Sequence, residues 1–342
     1  MSEIARRVQR KFGRWAQGGG RTRRRIYYRL FSDAFQREED SVDAGIHSYK
    51  GEIGSGRELF LVRRNTHMIE KGLTMRPRRA EFALDYIQQT VASFEAILTD
   101  SQLEVPGSEL HWMLSVLREY FEATASSENP AIAASRRRFA ELTTHFDHEV
   151  FTFGPHNPEP SKAVDIDDLI SLAQSRRSVR WFLPDPVPRE KVEKALEVAI
   201  EAPTACNRQP YRFEIFDEPE SVAKVAAIPM GTKGYAQQIP GIIVIIGDLS
   251  AFFDERDRHL IYIDSCLAAM GLVHGLEAQG IGSCCINWPD MASREKAMRE
   301  LLGLKTHERV IMLVAYGLPD ADALVPFSAK KSLNAARSYR TL

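Results

Sequence analysis

The sequence predicts a mixed α and β layer protein with an added helical region at its N-terminal side. Two patterns carry this. From about residue 165 to 317, helix-period stretches interleave with short apolar runs, as when helices cover a sheet. From 80 to 149, apolar residues recur at three- and four-residue steps with no strand signal between them. The length of 342 residues agrees, being roughly two domains at the usual size.

Taken in order, residues 1–30 form a basic tail, with ten Lys/Arg against a single acid, Glu3. Gly18-Gly19-Gly20 divides it into two short helical pieces. It reads as a solvated tail or, with Trp15, Tyr27, Tyr28 and Phe31 among the cations, as a peripheral contact with anionic lipid; RNA or an acidic partner would also suit the charge. Residues 31–153 form a helical N-terminal region with helices at 80–101, 108–125 and 130–149. Phe82, Ala83, Tyr86, Ile87, Val91, Phe94 and Ile97 make one core stripe, and Leu110, Met113, Leu114, Leu117 and Tyr120 make another. A Pro-containing segment at 154–160 reads as a linker.

Beyond it, helices are expected at 165–176, 188–202, 218–227, 256–279 and 290–302. Strands are expected at 211–217, 241–247, 282–287 and 308–317. From Leu318 onward no period is visible, and the segment reads as an arm that reaches over a neighbouring subunit.

Composition excludes several classes. Hydrophobic residues make up 44% and charged residues 27%, an ordinary globular mix. A net charge of -1 argues against a general nucleic-acid coat. The 4 cysteines include no C-x-x-C pair, and reduced thiols in a cytoplasmic protein are the simplest reading. The most apolar run, Ile242-Ile243-Val244-Ile245-Ile246, is far shorter than the ~20 residues of a membrane span and reads as a buried strand. The N-terminus lacks the apolar core of a secretory signal. No metal site is expected, because His67 has no second His at helical spacing.

Two segments carry chemistry. In Ser175-Arg176-Arg177-Ser178-Val179-Arg180-Trp181-Phe182, three guanidinium forks and two hydroxyls suit a phosphate. In Ala202-Pro203-Thr204-Ala205-Cys206-Asn207-Arg208-Gln209-Pro210-Tyr211, small residues let the backbone approach a flat heterocycle while amides meet its edges. The alternatives are a solvated basic surface and a Pro-rich connecting loop. Cys206 reads as a space-filling residue before a redox thiol.

Together, in this order and spacing, the two segments resemble the nitroreductase family of FMN-dependent oxidoreductases. Gly280-Ile281-Gly282-Ser283-Cys284-Cys285, after a long helix, matches a third element of that family. The resemblance covers about 165–342, and the FMN-binding domain is placed at 160–342. It implies an α+β fold, a mostly antiparallel sheet flanked by helices, which the interleaving alone does not distinguish from a doubly wound sheet. It also implies an intertwined homodimer with FMN sites between the subunits.

Arg176, Arg177, Ser178 and Arg180 then resemble ligands of the FMN phosphate and ribityl chain. Pro203, Thr204, Ala205, Asn207 and, more weakly, Gln209 resemble the loop along the flavin ring. Cys284 and Cys285 lie where a strand-end backbone N–H meets flavin N5, and Lys330 or Lys331 would reach the phosphate. No catalytic side chain is assigned, because the flavin carries the hydride. The implied activity is ping-pong transfer from NAD(P)H to a small nitro, quinone or enone acceptor. The alternative is a non-catalytic or specialised flavoprotein whose N-terminal region binds a partner or membrane. The segment 67–73 reads as a helix end capped by Gly72 or as a cover on the flavin pocket, with His67 and Glu70 as candidate substrate residues.

Overall fold

Helices cover both faces of one antiparallel sheet in the C-terminal part of this computed structural model, and a helical cluster packs beside it. Described are residues 12, 15, 20–33, 35–51, 58–100, 105, 107–144, 146, 153–157 and 164–341. Most of 1–19 and residues 158–160 of the expected linker lie outside them.

The N-terminal helices are α1 (Arg21–Leu30), α2 (Gln36–Lys50), α3 (Glu58–Leu73), α4 (Ile87–Thr99), α5 (Gly107–Ala123) and α6 (Pro130–Leu142). The last four enclose a core of their own, built on Val62, Ile69, Phe94, Leu117, Tyr120 and Phe139. After them come α7 (Ile166–Ser175), α8 (Arg189–Ile200), β1 (Tyr211–Phe216), α9 (Pro219–Ala226), β2 (Gly241–Asp248), α10 (Leu260–Glu277), β3 (Gly282–Asn287), α11 (Ala292–Leu302), β4 (Glu308–Gly317) and the short α12 (Leu333–Ala336). The sheet order is β1-β2-β4-β3 with every neighbour antiparallel.

The apolar run in β2 is completely buried, as its β-branching suggests. Ile243 and Ile245 face one layer with α8 and α10, whereas Ile242, Val244 and Ile246 face the other with α9 and α11. The partner strand β4 is irregular. Ile245 pairs with Met312 but Ile246 pairs with Val310, so Ile311 is an extra residue. This bulge resets the alternation, and Ile311 and Met312 both pack on the α8 and α10 side.

Helix α10 approaches α8 closely because it carries glycine at the crossing. A Cβ at Gly275 would sit 2.7 Å from the Ala195 Cα, and one at Gly271 would sit 2.9 Å from the Val198 carbonyl. By length and apolarity alone, Glu255–Glu277 would pass as a bilayer-crossing helix. Here half of it is packed in the fold.

Several expected elements are corrected. The helix expected over 80–101 starts only at Ile87. Ala83 takes φ 62°, outside the right-handed helical region. Its neighbour Phe82 turns inward instead, its carbonyl accepting from the Tyr120 hydroxyl at 2.8 Å. The Phe82 ring occupies the space left by Gly72, where a Cβ would lie 2.4 Å from it. Gly72 is therefore not a left-handed cap but a helical residue that makes room for an aromatic ring. Helix α6 ends at Leu142, with residues 147–149 of the expected helix outside the described residues, and α10 begins at Leu260, after a turn of 3-10 helix at Glu255–Asp257. Helices α2 and α12 were not expected, and α3 was anticipated only at its end.

The helical region touches the sheet domain through α2 and α3. Helix α2 lies on the Leu249–Ala251 turn, where a Cβ at Gly45 would be 2.7 Å from Leu249. The buried Arg309 of β4 donates to the Arg37 carbonyl at 3.2 Å and to Ser41 Oγ at 3.1 Å, and pairs with Asp290 at 3.4 Å. Helix α3 packs against the 3-10 turn Ala205–Asn207.

Gly280, in the turn from α10 to β3, has φ 73° and nothing within 4 Å of an added Cβ. Gly280→Ala therefore adds backbone strain without a clash, and we expect a loss of about 1 kcal/mol. A urea titration should show a lower midpoint at unchanged slope. An unchanged midpoint would mean the turn relaxes out of the left-handed region at no cost.

Candidate functional site

The basic motif begins where α7 ends. Arg176 is the C-cap, and the chain leaves the helix extended. Ser178 bridges Ser283 in parallel, and the Val179 N–H donates to the Ser283 carbonyl at 3.0 Å. Gly282 admits this approach, since a Cβ there would meet Val179 at 3.0 Å. The motif is thus laid along the edge strand β3.

Its three arginines differ. The Arg177 guanidinium closes the end of α7, donating to the carbonyls of Gln174 and Arg176. Arg180 donates to the Ser178 carbonyl at 3.3 Å and lies over the Tyr235 ring at 5.9 Å. Arg176 has no side-chain hydrogen bond or ion pair among the described residues.

The C-terminal arm completes this place. The Leu183 N–H donates to the Leu318 carbonyl at 2.9 Å, and the Asp320 N–H to the Trp181 carbonyl at 3.1 Å. The arm then crosses the motif and encloses a cavity of about 230 Å³, lined by Arg176, Arg177, Ser178, Arg180, Phe327 and Lys330 among others. Four cations and no carboxylate line it. Lys331 is exposed and outside the lining. The donor set fits the phosphate of an FMN: guanidinium forks, a hydroxyl and an ammonium converge with no opposing charge.

The second motif is a strained turn. Cys206, Asn207 and Gln209 have φ of 55°, 53° and 52°, all in the left-handed region without being glycine. Each such residue costs of order 1–3 kcal/mol and persists only where neighbours hold it. Here the holders are identifiable. Thr204 Oγ1 accepts from the Gln209 N–H at 3.1 Å, and Asp264 Oδ2 from the Ala205 N–H at 3.1 Å. Arg208, 3% exposed, donates to the Ala205 carbonyl at 3.0 Å, its guanidinium over the Phe252 ring. Burial pushes the Asp264 carboxyl above its ordinary range, against the pull of the Ala205 N–H and the Arg208 charge. Tyr211 Oη and Ser265 Oγ, buried in the same neighbourhood of sequence, have no hydrogen-bond partner among the described residues.

The predicted residues thus fall into groups. Arg176, Arg177, Ser178, Arg180 and Lys330 come together. Pro203, Thr204, Ala205, Asn207 and Gln209 form a turn that does not line the same cavity. Cys284 is buried with its Sγ 3.8 Å from the Tyr235 hydroxyl, and Cys285 is exposed. Among the described residues strand β3 has one strand neighbour, and beyond the Ser178 bridge nothing pairs with its other edge. His67 Nδ1 lies 3.6 Å from Glu70 Oε2 on α3, the helix that packs on the strained turn, and neither residue lines the cationic cavity. Among the described residues no three His, Cys, Asp or Glu side chains gather as for a metal.

Sequence reasoning missed Asp264, Arg208 and Tyr235. For Asp264 a signal existed: it is the one acid within the apolar stretch 260–276. It missed also an apolar stripe on α10, where Ile263, Leu267 and Met270 are each 43–52% exposed.

Residues 173–318 match the family model described as Nitroreductase family. A Thermus thermophilus protein named NADH dehydrogenase is 29% identical over 183 residues, covering 44% of this chain and 87% of its own. Mouse (Mus musculus) iodotyrosine deiodinase 1 is 23% identical over 237 residues, covering 61% and 82%. Among solved structures, a nitroreductase family protein from Streptococcus pneumoniae TIGR4 aligns with a TM-score of 0.44 at 23% identity, covering 50% of this chain and 100% of its own.

Proposed function

Through residues 173–318 the chain belongs to the nitroreductase family, and on that footing we propose that it is an FMN-dependent NAD(P)H oxidoreductase. The observation that carries the cofactor is the cationic cavity. Arg176, Ser178 and Lys330 would hold the phosphate, with Arg177 fixing the end of α7 behind them and Arg180 directed toward the ring. When bound, FMN supplies hydride acceptance and donation at N5, from NAD(P)H to a small electrophile in a ping-pong sequence. The chain supplies binding, orientation and charge. Guanidinium groups near the site favour the anionic reduced form, and β3 offers its free edge to the ring.

We also propose that two copies make each site. The turn at 203–209 does not join the phosphate cavity within one chain, and the exposed Ile263, Leu267 and Met270 stripe offers apolar surface that a second copy would cover. Helix α3 would border the pocket through the same turn, with His67 and Glu70 on the acceptor side. The acceptor classes to try are nitroaromatics, quinones, enones and, given the deiodinase relatives, halophenols.

The test is optical. The purified chain should carry a flavin spectrum that bleaches on anaerobic addition of NADH or NADPH and returns with an acceptor. A yellow protein that neither nucleotide reduces would favour a non-catalytic flavoprotein. A colourless protein that takes up no added FMN would remove the cofactor assignment.

Truncation after Leu318 removes residues 326–330 and with them one wall of the cavity. We expect the truncated chain to lose FMN and to weaken as a dimer. Light scattering with flavin quantitation checks both. Full flavin content at unchanged mass would put the phosphate elsewhere.

A further inference from the structure

We propose that α1 is an interfacial anchor that lays this protein on an anionic lipid bilayer. Five of its ten residues are arginine (21, 23, 24, 25 and 29), it contains no acid, and none of its side chains is buried. Among the described residues its partner beyond the helix's own neighbourhood is the Trp15 ring, under Arg23, so most of this helix is open to another surface. The apolar groups beside it are large and outward. Ile26 is 40% exposed, Tyr28 44%, Leu30 71% and Phe35 53%. They border one shallow concavity of about 650 Å³ whose other lining residues are Thr22, Arg25 and Arg29. Tyr28 and Phe35 meet edge to face, with ring centroids 5.0 Å apart.

This arrangement matches what an interface requires. Ile26 and Leu30, one turn apart, would enter the acyl boundary, and Tyr28 would sit at headgroup level. Arg25 and Arg29, also one turn apart, would carry their guanidiniums up to lipid phosphates on extended stems. The anchor is fixed to the folded body. It leads within five residues into α2, whose Arg37 pairs with Asp290 at 3.0 Å and whose first turn is held by the buried Arg309.

Charge complementarity chooses the occupant. A second copy meeting it symmetrically through its own α1 would bring five more guanidiniums and no acid from that helix. RNA would satisfy the arginines but leave Ile26 and Leu30 in water. An anionic bilayer satisfies both.

The experiment is co-sedimentation of the full FMN-loaded chain with phosphatidylserine–phosphatidylcholine vesicles and with pure phosphatidylcholine vesicles. Binding to the anionic vesicles alone, weakened by salt, is the expected result. Arg24→Glu with Arg25→Glu should lower the partition coefficient at least about 25-fold, at about fivefold for each arginine lost. Ile26→Ser with Leu30→Ser should lower it about tenfold or more, because apolar burial is lost while the charge remains. Both variants should keep their flavin spectrum, since α1 lies outside the cofactor cavity. No vesicle binding, equal binding to both vesicles, or an apolar variant that binds as well as the parent would overturn the proposal. The last result, together with retention on a polyanion resin, would indicate RNA or an acidic protein instead.

Discussion

Arg176→Ala combined with Ser178→Ala is expected to give a folded protein that purifies without FMN. The choice of Arg176 over Arg177 follows from what each side chain already does. Arg177 is engaged with the carbonyls at the end of α7, so its removal would disturb the helix as well as the ligand. Arg176 has no such engagement among the described residues and lines the cavity together with Ser178 and Lys330. A hydrogen bond to a charged group is worth roughly 1.5–3 kcal/mol. Losing two should lower FMN affinity by about two to four decades. Equilibrium dialysis measures the affinity, and circular dichroism confirms the fold. A folded double variant with stoichiometric flavin would show that the phosphate is held by other residues.

Asp264→Ala should release the strained turn. Its carboxylate is the acceptor for the Ala205 N–H, and without it a buried donor is left unpaired at a cost of about 1–3 kcal/mol. Residues 206, 207 and 209 would then relax from the left-handed region, and FMN affinity should fall about one to two decades. Asp264→Asn retains an acceptor oxygen and should retain FMN. The two variants share one further signature. Because burial raises the Asp264 carboxyl above the ordinary range, the folded chain keeps this proton to a higher pH than the unfolded chain does. Stability should therefore fall as pH rises from the ordinary carboxylate range through the folded value, and be lowest above it. Either substitution should flatten that slope in urea titrations from acidic to neutral pH. An Ala variant with parental flavin affinity would show that Thr204 and Arg208 suffice to hold the turn.

The structure explains which parts of the fold were legible in the sequence. The run Ile242 to Ile246 announced β2 because β-branched residues buried on both faces leave no polar position between them. The basic motif was readable because its chemistry is local: its residues lie within a few positions of one another. Helix α2 was hidden for the opposite reason. It turns Ser41, Gly45 and Tyr49 inward, a stripe of small and polar residues that no apolar period reports. Helix α3 likewise buries Asn65 and Thr66. The start of α4 was placed too early because Phe82 and Tyr86 keep helical spacing, and nothing in an alanine announces a positive φ. Asp264 stood out in an apolar helix, but its partner at Ala205 is 59 residues away and only the fold supplies it.

The extra residue at Ile311 sets the reading frame of everything before it in β4. With the bulge, Arg309 points to the same side as Ile311, where it reaches α2, Asp290 and Glu295. Deleting one residue there would restore strict alternation and turn each earlier side chain of the strand to the opposite layer. Arg309 would then leave α2, and Glu295, now held between Arg309 and the Trp288 indole, would lose a counter-charge. A single-residue deletion at 311 is thus a more drastic change than most substitutions in this sheet, because it alters not one contact but the side from which the N-terminal region is held. Length here is as much a determinant of the architecture as composition.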